Sequence, residues 1–149
     1  MNYDFEKDLK TAKSCELEIA LYLVGRGNKV NKACDDRRFD IEITNRNGNK
    51  QKIEVKEDFM HSKTGNIAIE YECRGKPSGI NTTESDQYIY KVHYADKNPR
   101  IFSIKTDNLK RLLNERKNIK SVTGGDAGSN TKFYLLNDRV LSENFIRLA

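Results

Sequence analysis

The chain has 149 residues, 36% of them apolar in the broad sense and 33% charged, with no tryptophan; this suits one domain, residues 1–149, with a modest core. No run of about 18 uncharged apolar residues is present, and Met1-Asn2-Tyr3-Asp4-Phe5-Glu6 has neither the basic start nor the apolar stretch of a signal peptide, so a soluble cytoplasmic protein with no membrane partner is expected. The 27 Lys and Arg outnumber the 22 Asp and Glu, a net +5 that favours an anionic partner without naming one.

Phe5, Leu9, Ala12, Leu17, Ala20, Leu21, Leu23 and Val24 recur at threes and fours and end at Gly25 and Gly27, which predicts an amphipathic helix over about 4–25. Period two follows. Phe39, Ile41 and Ile43, then Ile53 and Val55, then Ile67, Ile69 and Tyr71 alternate with polar residues, predicting three sequential antiparallel strands. Between the first two, Asn45-Arg46-Asn47-Gly48-Asn49 is a turn whose length sets the register. A two-residue turn would put Asp40 opposite Val55 and split the apolar residues between faces. A three-residue loop, Arg46 to Gly48 with Gly48 left-handed, pairs Ile41 with Ile53, Glu42 with Lys52 and Asp40 with Glu54, and is preferred.

Residues 73–80 form a turn-rich loop, and Thr82 or Thr83 with Glu84 to Asp86 is suited to cap a short helical turn. Strands are expected over 88–94 and 100–105. A helix capped by Thr106 or Asp107 follows, carrying Leu109, Leu112 and Leu113 on its apolar face. Gly124 to Ser129 then leads to a strand at 132–136, and 140–148 has no decided form. The Gly-rich loop lacks the Lys-Ser or Lys-Thr of a phosphate-binding loop, which excludes an NTPase of that type.

With that register Asp40 and Glu54 face one another on a polar face shared with Lys56. Carboxylates within about 5 Å repel unless something positive lies between them. Mg²⁺ fills that role with two carboxylates, a main-chain carbonyl such as that of Val55, and a phosphate. It lowers the pKa of a bound water and offsets charge on the reacting phosphate, while Lys56 is placed to orient that water or stabilise that charge. The plain alternative is a half-exposed sheet face whose acids and lysines are simply solvated.

Asp40 followed fourteen positions on by Glu54-Val55-Lys56, after a helix carrying Glu16, resembles the PD-(D/E)XK nuclease superfamily, in particular small Holliday-junction-resolvase-like and phage-type endonucleases. The resemblance covers roughly residues 10–73, with a short strand near 29–33, and Phe39 stands at the position of the family's proline. It implies an α/β, restriction-endonuclease-like core with a central mixed, mainly antiparallel sheet flanked by helices. It also implies a Mg²⁺-dependent endodeoxyribonuclease, Mn²⁺ substituting, in which Asp40, Glu54 and the Val55 carbonyl hold metal, Lys56 positions water or stabilises charge, and Glu16 is a further acid. Glu18, about 200° round the helix, is the rival for Glu16. Branched or four-way-junction DNA is the most specific substrate, for which a homodimer is expected. A restriction- or repair-type nuclease on linear duplex, and a non-catalytic DNA-binding module of the same fold, are the alternatives.

Glu70 and Glu72 are candidates for extra metal ligands or for a solvated strand face. Arg74, Lys76 and Ser78 suit phosphate contacts or form a surface turn. His61 and His93 have no acidic or cysteine partner at a ligand spacing and read as structural, and Tyr88, Tyr90 and Tyr94 read as packing rather than base-stacking residues. Cys15, Cys34 and Cys73, odd in number and widely spaced, read as reduced thiols.

Overall fold

The computed structural model describes residues 3–33, 39–115, 119–125 and 127–149, with side chains of 14–32 in the first stretch; Cys34 lies outside them. Helix α1 (Tyr3–Gly25) leads into β1 (Lys29–Ala33), β2 (Ile41–Thr44) and β3 (Lys50–Asp58), an antiparallel meander. The β2–β3 hairpin closes as the alternation demands. Asn45 N–H donates to Asn49 O, Gly48 N–H to Asn45 O, and Gly48 takes φ +81°, giving the three-residue loop and pairing Ile41 with Ile53 and Glu42 with Lys52. The Asn45 side chain holds the loop by accepting from Asn47 N–H and Asn49 N–H.

The strand expected third in this series does something else. After the single-turn helix α2 (His61–Thr64), β4 (Asn66–Cys73) leaves the first sheet and joins a second one, ordered β5-β4-β9-β8, with β5 (Lys76–Pro77), β8 (Lys120–Gly124) and β9 (Thr131–Asn137). Its place beside β3 is taken in parallel by β6 (Gln87–Val92), followed by antiparallel β7 (Arg100–Lys105) and β10 (Ile146–Arg147). Asp58 helps to fix this exit: its buried carboxylate accepts from His61 N–H at 3.1 Å and Ala68 N–H at 2.8 Å, tying the end of β3 to the start of β4. The described residues therefore form two sheets rather than one, the larger mixed and mainly antiparallel. No helix forms over 84–86; a 3-10 turn at Gly79–Asn81 precedes it, and Thr83 is used differently. Helix α3 (Thr106–Glu115) forms as expected, and the terminal stretch resolves into α4 (Asp138–Asn144) and β10.

Each face of the six-stranded sheet carries its own core. Ile41, Ile43, Ile53, Val55 and Ile89 pack beneath Cys15, Ile19, Ala20 and Leu23 of α1. On the other face Tyr88, Tyr90, Val92, Phe102 and Ile104 meet Ile67, Ile69 and Leu136 of the second sheet, with α3 and α4 contributing Leu109, Leu112, Val140 and Leu141. Fully burying each of these aliphatic side chains stabilises by about 1.5–3 kcal/mol. Tyr88 and Tyr90 thus pack, as their alternation suggested. Among the described residues no helix is long and apolar enough to cross a membrane.

Candidate active site

Residues alternate across a strand, so Glu54, Lys56 and Asp58 project from the face of β3 opposite to Ile53 and Val55. The parallel register sets them beside Tyr88, Tyr90 and Val92, at the border of the second core. Asp40, just before β2, is held against the same point. Its N–H donates to Ile53 O at 2.9 Å and its Oδ2 accepts from Val55 N–H at 2.8 Å, so it straddles Glu54. Because the N–H and C=O of one strand residue point to the same edge, the Val55 carbonyl is directed to the side on which Asp40 lies.

The carboxyl groups of Asp40 and Glu54 lie within hydrogen-bonding reach of each other. Glu54 is pushed up to about 8, first by burial, then by its hydrogen bond with Asp40, with Asp40's charge adding to the rise; Lys56 and Thr83 oppose it. Lys56 Nζ stands 3.9 Å from Glu54 Oε2, the lysine side chain 46% exposed and the glutamate only 13%. Thr83 Oγ1 donates to Glu54 Oε1 at 3.3 Å and accepts from Ser85 N–H at 3.1 Å, so the segment expected to cap a helix instead fixes a carboxylate. The sequence carries no local sign of this, because Thr83 reaches Glu54 only through the parallel pairing of β3 with β6.

Beside the acids a groove of about 390 Å³ runs between the two sheets, with Lys56, Glu70, Phe133, Tyr88, Phe59 and Met60 among its walls. Glu70 pairs with Phe133 on β9 and both face this groove, whereas Glu72 is drawn away into an ion pair with Lys132 at 3.0 Å. Glu16 is half-buried on α1, beside Cys15, whose thiol is pushed up to about 12 chiefly by burial. The core of α1 lies on the sheet face opposite to Glu54, whose carboxyl is acted on most by Asp40, Lys56 and Thr83. Glu18 pairs with Lys91 at 2.9 Å. Arg74 and Lys76 are exposed at the β4–β5 turn, while Ser78 Oγ is enclosed without a hydrogen-bond partner.

Both histidines have carboxylate partners that sequence spacing does not reveal. His93 Nε2 lies 2.8 Å from Glu57 Oε2 and stacks on Phe59; His61 Nε2 lies 2.6 Å from Asp138 Oδ1 and meets Tyr94 edge-on. Cys15 and Cys73 are free thiols.

Among the described residues no three His, Cys, Asp or Glu side chains converge as a metal cage. Mg²⁺ ordinarily uses only one or two carboxylates and keeps several waters. A half-buried carboxyl pair with one member pushed up, and a main-chain carbonyl on the same side, is a donor set that fits such an ion. Comparison of the chain with protein-family models, curated proteins and solved structures gave no match.

Proposed function

We propose that this protein is a metal-dependent endodeoxyribonuclease whose site is built from Asp40, Glu54, the Val55 carbonyl and Lys56. The observation that carries the reading is the apposition of two carboxyl groups across the β2–β3 hairpin, with Lys56 3.9 Å away on the same face. A structural role alone does not account for it, since two half-buried carboxyl groups set against each other disfavour folding at neutral pH. The order helix, three-stranded antiparallel meander and a parallel strand against the third supports the resemblance to PD-(D/E)XK nucleases.

When bound, Mg²⁺ would supply positive charge against the scissile phosphate and lower the pKa of a water in its shell. Asp40 and Glu54 would hold it, each fixed by a second contact: Asp40 by Val55 N–H and Glu54 by Thr83 Oγ1. Lys56, half exposed on the groove, donates to the attacking water or to the phosphate oxygen on which charge develops. Arg74 and Lys76 remain available for backbone phosphates. Four-way-junction DNA is the substrate that the resemblance puts first, with linear duplex as its comparison.

The test is incubation of wild type and Glu54→Gln with supercoiled plasmid, plain duplex and synthetic junctions in Mg²⁺, Mn²⁺ or EDTA. Cutting by wild type only, and only with metal, is expected. Metal-independent cutting, or cutting that survives Glu54→Gln, contradicts the mechanism. DNA binding without any cutting, unaltered by Asp40→Asn and Lys56→Ala, identifies a non-catalytic module.

A further inference from the structure

A second feature of the same sheet face is a cleft of about 660 Å³ walled by the β6–β7 turn, the start of β7, helix α4 and β10. Lys97, Arg100, Arg139 and Arg147 line it together with Tyr94. Lys97 Nζ lies 4.6 Å and the Arg100 guanidinium 5.2 Å from the centre of the Tyr94 ring, so one aromatic ring holds two cations. Two acids stand near these cations: Asp138, which lines the cleft and is engaged by His61 at 2.6 Å, and Glu143, which pairs with Arg139 at 3.0 Å. With four cations against these two acids the cleft is net positive; outside the Arg139 pair, Arg100, and Arg147 whose Nε also donates to Ala149 O at 3.4 Å, offer planar groups suited to phosphate oxygens.

Its position gives it a use. Arg100 pairs with Val92, and Val92 shares a face with Tyr88, the neighbour of Glu54. Four residues along β6 is about 13 Å and two strand spacings add about 10 Å across, placing Arg100 roughly 16 Å from Glu54. That separation is about five base-pair steps along a duplex.

We propose that this cleft is a second DNA-backbone site, gripping phosphates of the duplex arm about five base pairs from the bond being cut. The proposal rests on the nuclease reading and adds to it a binding element outside residues 10–73. Tyr94 holds the cations in place, and the phosphates replace water around them.

The test compares wild type with Lys97→Ala/Arg100→Ala, each checked for an unchanged unfolding transition. Binding of fluorescent duplexes is measured in EDTA across a salt series and an arm-length series, and cleavage is measured in Mg²⁺. The double variant is expected to bind long duplexes at least tenfold more weakly, with a log–log salt slope smaller by about two. Arms shorter than about five base pairs should bind both proteins equally. Cleavage at saturating DNA should be unchanged, and Arg100→Lys should recover part of the affinity. Unchanged affinity and slope, with wild type still cutting, overturns the cleft assignment alone. A wild type that neither binds nor cuts DNA overturns the nuclease reading and the cleft with it, and weakening that is independent of arm length overturns the proposed placement.

Discussion

Replacing Glu54 by glutamine removes the charge whose burial the fold opposes. In the metal-free folded protein Glu54 titrates near 8 against an ordinary 4.5, because it is buried and hydrogen-bonded to Asp40. A raised carboxyl pKa means that the folded state holds the proton more tightly than the unfolded chain does. The stabilisation is full below about pH 4.5, falls as pH rises, and is gone above about 8. At 1.36 kcal/mol per pKa unit the whole change is at most about 5 kcal/mol. Glutamine is neutral throughout, keeps an oxygen for Thr83 and offers an N–H to Asp40. Urea unfolding of both proteins in EDTA from pH 5 to pH 9 should therefore show Glu54→Gln close to wild type at the acid end and more stable by several kcal/mol at the alkaline end. A difference that stays constant across this range, or a variant less stable than wild type at pH 9, would refute the placement of Glu54.

Lys56→Ala should lower the cleavage rate about 10²-fold or more while leaving stability nearly unchanged, because the side chain is 46% exposed; single-turnover kinetics and thermal melts check the two halves. Asp58→Asn should cost about 2–3 kcal/mol in urea unfolding, since the amide can accept through only one atom where the carboxylate accepts from both His61 N–H and Ala68 N–H. Gly79→Ala should destabilise by about 1–3 kcal/mol: the residue takes φ +54°, and an added Cβ would stand against the Glu70 carbonyl oxygen, which cannot simply swing aside. Thr83→Val should leave the fold intact and weaken Mg²⁺ binding about tenfold, measured by calorimetry, through loss of its hydrogen bond to Glu54.

The β2–β3 hairpin was legible because two alternating strands joined by a short loop admit one register that keeps Ile41 and Ile53 on one face; the ladder stops there, and Asp40, one residue before β2, is brought up to Glu54 by its bonds to Ile53 O and Val55 N–H instead of by a ladder pair. The fate of β4 was not. Alternation gives a strand its two faces but not its neighbours, and β4 pairs with β9 more than sixty residues later while β6 returns parallel to β3. For the same reason the position of Glu54 beside Tyr88, the use of Thr83, and the pairs His93–Glu57 and His61–Asp138 lay outside the reach of spacing. Glu70 and Glu72 show the limit at its finest: the sequence treats them alike, yet a bulge between them sends one to the groove and the other to Lys132.

The claim that Asp40 and Glu54 together hold a divalent cation is tested most directly by titrating the full chain with Mn²⁺ at pH 8 and following free ion by electron paramagnetic resonance. One ion per chain should bind to wild type, Mg²⁺ should compete for the same place, and either Asp40→Asn or Glu54→Gln should abolish it. Binding that survives both substitutions, or none in the wild type at millimolar Mn²⁺, would contradict the account.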